Sequence, residues 1–177
     1  MNLPNKLSIA RALCIPVIVV LLYLNHDGCR IAAGVLFILA ALTDLLDGQI
    51  ARKYNLVTDF GKSIDPVADK LLVLATLVML VRGGLMEAWV TVVILCRELA
   101  VDGLRMVAVG QGKVIAAGSL GKWKTTFQMV TIVCILLLNK ACFATWYTGI
   151  LTGISVALTL LSAVDYFVRN RSVFGTK

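Results

Sequence analysis

Long apolar runs, broken at short polar or glycine-containing points, divide this chain into six segments. The first begins at Pro4-Asn5, with Ser8 close behind, residue types that mark a turn or helix start. It runs through Leu24 and stops at Asn25-His26-Asp27-Gly28. The second runs from about Arg30 to Lys53, apolar in its first half and carrying Asp44, Asp47 and Arg52 in its second. Tyr54 to Phe60 read as a polar turn. The third segment spans about Lys62 to Val81 and ends at Arg82-Gly83-Gly84. Pro66 is tolerated only in a first turn, so the regular helix is expected to begin near Asp65. A fourth segment spans about Met86 to Val109, closed by Gly110-Gln111-Gly112. The fifth spans about Leu120 to Leu138, and the sixth about Trp146 to Val168. Each is roughly 17–25 residues long, the length a helix needs to cross a bilayer core. The pattern predicts an all-α, polytopic membrane protein of six transmembrane helices, with no internal repeat.

Composition agrees. At 177 residues the length suits one unit, and residues 1–177 are read as a single transmembrane domain. Apolar residues make up 59% and charged residues only 15%, and the mean hydropathy is +0.90, too apolar for a soluble domain of this size. No cleavable signal is expected, because no small-residue cleavage site follows the first apolar run. Charge then sets the orientation. With the N-terminus inside, Lys6, Arg11, Arg52, Lys53, Lys62, Lys70, Arg105, Lys113, Lys122, Lys124, Arg169, Arg171 and Lys177 fall on the cytoplasmic side. Only Arg30, Arg82 and Lys140 fall outside. Both termini are therefore expected in the cytoplasm. Trp89 and Trp146 come to the outer interface and Trp123 near the inner one. A net charge of +7 raises the question of nucleic acid, but there is no basic tail or recognition motif, and none is expected as a partner. The five cysteines, Cys14, Cys29, Cys96, Cys134 and Cys142, form no C-x-x-C pair and read as small buried hydrophobes. The lone His26 lies in a loop and offers little for catalysis.

Four carboxylates change the picture. Asp44 and Asp47 stand at i, i+3, and Asp65 and Asp69 at i, i+4, so on helices each pair shares one face. Two helices joined by the short turn would bring all four together. Such a cluster repels itself unless a cation sits within it, and a hard divalent metal suits an all-oxygen donor set. The plainer alternative is two helix ends whose acids sit in water. A carrier of divalent cations is a further alternative, but it would hold its acids near the bilayer midplane on broken helices. Here they gather at one membrane face, which favours surface chemistry.

Charges within the fourth segment are costly in a bilayer and so stand as candidates. Arg97 and Arg105 are eight residues apart and share a face, while Glu98 and Asp102 lie on a neighbouring one. The fifth segment opens Gly121-Lys122-Trp123-Lys124-Thr125, with Gln128 following. These residues read either as ion pairs between helices and a positive-inside anchor, or as a phosphate pocket. In the second case Arg97 and Arg105 supply forked donors, Lys122 and Lys124 supply point charges, and Arg11 reaches in from the first helix. Surplus positive charge beside a metal site calls for negative charge arriving with the substrates.

The pattern D-x-x-D-G-x-x-A-R, eight residues, then G-x-x-x-D-x-x-x-D is complete from Asp44 to Asp69. It resembles the signature of the CDP-alcohol phosphotransferases, integral membrane enzymes of phospholipid synthesis. The resemblance implies that Asp44, Asp47 and Asp65 bind the metals, two Mg²⁺ or Mn²⁺ ions. It implies that Asp69 is both a metal neighbour and the catalytic base. Gly48, Arg52 and Thr58 match positions that contact the CDP moiety, and Asn5 and Ser8 match a stretch that holds the nucleotide. The fold implied is six transmembrane helices in a homodimer. It would sit in the bacterial inner membrane among membrane lipid, with the active site facing the cytoplasm. The basic residues of the fourth and fifth segments resemble the branch that joins CDP-diacylglycerol to sn-glycerol 3-phosphate. Branches using inositol phosphate, serine or phosphatidylglycerol share the aspartate signature. The N-terminus before Arg11 is short for the family's amphipathic surface piece.

Overall fold

The structure, a computed structural model, describes residues 3–53, 59–112, 115, 118–138 and 144–171; within its helices the side chains of residues 3–8, 44–53, 59–66 and 144–145 lie outside the description. The described residues form six α-helices: α1 (Leu3–Tyr23), α2 (Asp27–Lys53), α3 (Asp59–Arg82), α4 (Ala88–Gly110), α5 (Ser119–Leu138) and α6 (Ala144–Arg169). The all-α class expected from hydropathy holds, and each apolar run has become one helix.

Two ends depart from expectation. α2 begins at Asp27, an acidic residue in its first turn, where it complements the positive end of the helix dipole. Only a short turn through Asn25, in a left-handed conformation at φ 50°, separates it from α1. α3 begins at Asp59, so Pro66 lies well inside the helix and not in its first turn. A proline costs one backbone hydrogen bond there, a loss that packed apolar helices absorb more readily than isolated ones. The glycine stops behave as read. Gly84 has φ +67°, and the bonds Leu85 N–H to Leu80 O (2.9 Å) and Gly84 N–H to Val81 O (3.0 Å) close the end of α3. Gly112, at φ +72°, does the same work after α4.

By contacts the chain divides into two units: Met1–Met86 with Ile135–Leu138, and Glu87–Cys134 with Asn139–Lys177. In the first, α1 packs along both α2 and α3, and α2 touches α3. Its core interleaves Ile18 and Leu22, Ala33 and Phe37, and Leu72, Leu77 and Leu80, all buried. Gly34 is required by close approach: a Cβ there would lie 2.9 Å from Leu137 Cδ2 and 3.2 Å from Leu136 Cβ. In the second unit α4 packs on α6, with Val101, Leu104, Ala108 and Tyr166 buried together and Ile115 and Phe167 against them.

In both units polarity is inverted. Leu13, Val20, Leu99, Met106, Val164 and Val168 are each more than half exposed, while Arg11, Lys124, Gln128, Thr131, Ser155, Thr159 and Ser162 are buried. Large apolar side chains outside and polar ones inside suit a surface facing lipid. By length and composition, one helix among the described residues qualifies to cross a membrane, Trp146–Arg169 with mean hydropathy 1.7. α4 contains Arg97, Glu98, Asp102 and Arg105, which sets it apart from α6. Cys14, Cys29 and Cys134 are half-buried as small apolar residues would be, but Cys96 is exposed. It lies on the outward side of α4, beside Val92 and Leu99, which are also exposed.

Candidate active site

In the first unit the motif is carried by two helices that touch. Asp44 and Asp47 fall one turn apart in α2, and Asp65 and Asp69 one turn apart in α3. The side chains of Asp44, Asp47, Gly48, Arg52 and Asp65 lie outside the described residues, as do those of Asn5 and Ser8, and Thr58 lies outside them altogether. Asp69 is described. Its Oδ1 accepts a hydrogen bond from Nη1 of Arg11 on α1, in an ion pair. The Arg11 side chain is 0% exposed and that of Asp69 31%. Arg11 was expected among the phosphate-pocket cations. In the structure α1 packs along α3 and sets Arg11 against the fourth aspartate of the motif. No sequence spacing could have paired two residues 58 positions apart; only the docking of α1 on α3 does so. The donor set offered by the motif, four carboxylates on two touching helices, is the hard oxygen chemistry that Mg²⁺ or Mn²⁺ takes.

At the far end of the same unit Arg82 lies 3.9 Å from the centroid of the Tyr23 ring and donates to the Tyr23 carbonyl at 3.1 Å. His26 is exposed between α1 and α2, and its Nδ1 accepts from Gly28 N–H at 3.3 Å. This end carries no motif residue.

The second unit gathers cations. Glu98 Oε1 accepts from Arg97 Nη1 at 3.3 Å and also from Lys124 Nζ, joining α4 to α5. Arg97 Nη2 donates to Ser162 Oγ on α6 at 3.0 Å. The side chains are 10%, 13% and 3% exposed for Arg97, Glu98 and Lys124. Arg97 Nε is buried and has no hydrogen-bond partner among the described residues. Gly121 leaves the space beside the guanidinium open, since a Cβ there would lie 3.9 Å from Arg97 Nη2. Two turns along α4, Arg105 donates from Nε to the Tyr166 hydroxyl at 3.1 Å, with its guanidinium 5.6 Å from the centroid of that ring. The eight-residue spacing thus sends both arginines to α6. Lys122, by contrast, is exposed at the start of α5. Glu98 takes the structural part weighed for it, and takes two cations at once.

The partners on α6 were not foreseen. Ser155, Thr159, Ser162 and Tyr166 follow one another at helical spacing and are all buried. On α5, Lys124, Gln128 and Thr131 do likewise. Thr131 Oγ1 donates to Phe127 O at 2.8 Å and reaches Leu151 O of α6 at 3.4 Å. Serines and threonines barely lower the hydropathy of a run, so a window that finds the helix hides the seam. Their i, i+4, i+7 spacing was the available signal.

Helices, aspartate motif and basic cluster together define a class. The profile of the CDP-alcohol phosphatidyltransferase family matches residues 1–161, and the chain belongs to that family. Within it the chain is similar to the CDP-diacylglycerol–glycerol-3-phosphate 3-phosphatidyltransferase of Bacillus subtilis (strain 168), at 41% identity covering 96% of this chain and 95% of the relative. The enzyme of the same name from Rickettsia typhi is 39% identical, covering 98% and 99% of the two chains. That from Pseudomonas fluorescens is 39% identical, covering 94% and 88%.

Proposed function

We propose that this chain transfers the phosphatidyl group of CDP-diacylglycerol to sn-glycerol 3-phosphate, giving phosphatidylglycerophosphate and CMP. The near full-length likeness to enzymes of that name supports the reaction. The observation that carries the acceptor is the basic cluster of the second unit: two buried cations on one carboxylate, with a guanidinium N–H still unsatisfied. An arriving phosphate offers both cations charge-assisted hydrogen bonds.

In this reading Asp69 takes the proton of the glycerol 1-hydroxyl, whose oxygen bonds to the phosphatidyl phosphorus as the CMP oxygen leaves. Arg11 holds the Asp69 carboxylate. Asn5, Ser8, Gly48, Arg52 and Thr58 hold the CDP moiety. Arg97, Arg105, Lys122 and Lys124 take the acceptor phosphate, and hold its far hydroxyl in place. Asp44, Asp47 and Asp65, with Asp69 beside them, would hold two Mg²⁺ or Mn²⁺ ions. When bound, these supply neutralisation of the pyrophosphate charge.

The chain works as a single domain of six membrane spans in the bacterial inner membrane, as a homodimer, with both termini and the active site cytoplasmic. The inverted polarity of both units supports the lipid-facing part of this reading. Cysteine labels at Thr58 and Lys113 should react from the cytoplasmic side and a label at Asp27 from outside; reaction of Thr58 from outside overturns the orientation. The test of the activity is CMP release by purified protein given CDP-diacylglycerol, Mg²⁺ and a panel of acceptors. Glycerol 3-phosphate should far exceed serine, inositol phosphate and phosphatidylglycerol. Equal turnover with serine, or Mg²⁺ flux into vesicles without CDP-lipid, defeats the proposal.

A further inference from the structure

We propose that Glu98 is a resident counterion of the acceptor site, one that an incoming phosphate must displace, and that it thereby sets which anions the site accepts. The inference rests on the assignment of Arg97 and Lys124 to the acceptor phosphate. Its starting point is stoichiometry. A single carboxylate oxygen, Glu98 Oε1, accepts from both Arg97 Nη1 and Lys124 Nζ. The donors come from α4 and α5, and the side chains of all three residues are nearly buried. Without Glu98, two cations would face each other in a low-dielectric interior.

The cluster is also incomplete. Arg97 has Nη1 on Glu98 and Nη2 on Ser162, while its buried Nε has no hydrogen-bond partner among the described residues. A buried donor left unmade costs as much as a lost hydrogen bond, so the resting cluster remains receptive to one more acceptor atom. Gly121 keeps a side chain out of the space next to this guanidinium. Ser162 holds one end of the fork, and Gly121 keeps a side chain off Nη2.

An anion that enters must compete with a carboxylate already seated. A monoanionic carboxylate or chloride gains little by exchanging places with Glu98. A phosphate monoester carries nearly two charges near neutral pH and three acceptor oxygens, so it can take Nη1 and Nζ together in place of the carboxylate. Glu98 then acts as a repulsive element that every anion meets and only the stronger overcomes. The same device lowers apparent affinity for the correct acceptor, because part of the binding free energy goes into breaking the resident pair.

The experiment compares the full-length protein with Glu98→Gln, Glu98→Asp and Arg97→Ala in detergent with Mg²⁺. It reads the KM for glycerol 3-phosphate, the KM for CDP-diacylglycerol, and inhibition by inorganic phosphate and by acetate. Glu98→Gln should lower the glycerol 3-phosphate KM and the phosphate inhibition constant about tenfold, the worth of one charge-assisted contact. It should make acetate a measurable inhibitor and leave the CDP-lipid KM unchanged. Glu98→Asp keeps the charge but draws it back by one methylene, and should move the same constants in the same direction by less. An unchanged or raised acceptor KM in both Glu98 variants overturns the proposal and leaves Glu98 a structural tie. Failure of both variants to accumulate as folded protein overturns it in the same way. If Arg97→Ala leaves the acceptor KM untouched, the pocket assignment itself fails, which the Glu98 variants alone would not reveal.

Discussion

Two ion clusters, one in each unit, use the same side-chain types to different ends. In the first, Arg11 on α1 is matched with Asp69 on α3, a guanidinium against a carboxylate. In the second, Arg97 and Lys124 share Glu98 Oε1, and Arg105 donates to the Tyr166 hydroxyl. A guanidinium set against a motif carboxylate orients that carboxylate. A carboxylate shared by two donors, the unmatched case, is one that an arriving anion can replace at both. The contrast separates residues that orient the chemistry from residues that receive a substrate, and substitutions should break it in ways that can be told apart.

The largest effect belongs to the carboxylates themselves. Asp44→Asn, Asp47→Asn and Asp65→Asn should each nearly abolish CMP release. Chelation of divalent metal should do the same to the unmodified protein and be reversed by added Mg²⁺. Full turnover in excess chelator would remove the metal from the proposed mechanism. The comparison sharpens here, because no substitution in the second cluster should approach these losses.

Next comes the matched pair. Asp69→Asn should lower turnover by several orders of magnitude while binding of CDP-diacylglycerol, followed by a direct binding assay, persists. Arg11→Ala takes a buried guanidinium away from the Asp69 carboxylate, whose side chain is 31% exposed. It should therefore lower both turnover and thermal stability. If Arg11→Ala instead raises only the KM for glycerol 3-phosphate, Arg11 belongs with the phosphate-binding cations and the contrast between the clusters collapses.

How much of this was legible in the sequence differs between fold and site. Six apolar runs gave six helices, because the hydrophobic period and the glycine stops at Gly84 and Gly112 are local signals, carried by the residues that form the element. The start of α3 was misplaced because Pro66 was taken to mark a first turn, whereas the helix runs through it from Asp59. Spacing brought Arg97 and Arg105 to one side of α4, as it should. What they meet was hidden. Ser162 and Tyr166 lie more than sixty residues on, in a run whose hydropathy masks its buried hydroxyls. Arg11 and Asp69 meet only because two helices dock. Local pattern reports elements; pairings across elements depend on packing, and no single window contains them.

The unmatched cluster should respond in the acceptor KM alone. Arg97→Ala and Arg105→Ala each remove a charged contact worth about 1.5–3 kcal/mol, so the glycerol 3-phosphate KM should rise roughly ten- to a hundred-fold. The CDP-lipid KM should stay near its original value. Lysine at either position should restore only part of the loss, because the fork that binds phosphate through two parallel N–H groups is gone. A rise confined to the CDP-lipid KM would move both arginines out of the acceptor site.

The smallest change tests whether α6 positions the arginines or merely packs beside them. Tyr166→Phe removes one hydroxyl. The ring remains, buried with Val101, Leu104 and Ala108, so the core is kept and the guanidinium 5.6 Å from the ring centroid keeps its cation–π contact. Only the 3.1 Å bond from Arg105 Nε is lost. A hydrogen bond of this kind contributes about 0.5–1.5 kcal/mol net, which corresponds to a rise of roughly two- to ten-fold in the acceptor KM. The loss should be absent in an Arg105→Ala background, where the hydroxyl has no guanidinium left to hold. A thermal melt separates the two parts the tyrosine could play. If Tyr166→Phe lowers the melting temperature and leaves the KM alone, the hydroxyl serves the packing of α4 on α6. If the KM rises with the melt unchanged, and the double variant shows no further rise, Tyr166 aims Arg105 at the acceptor.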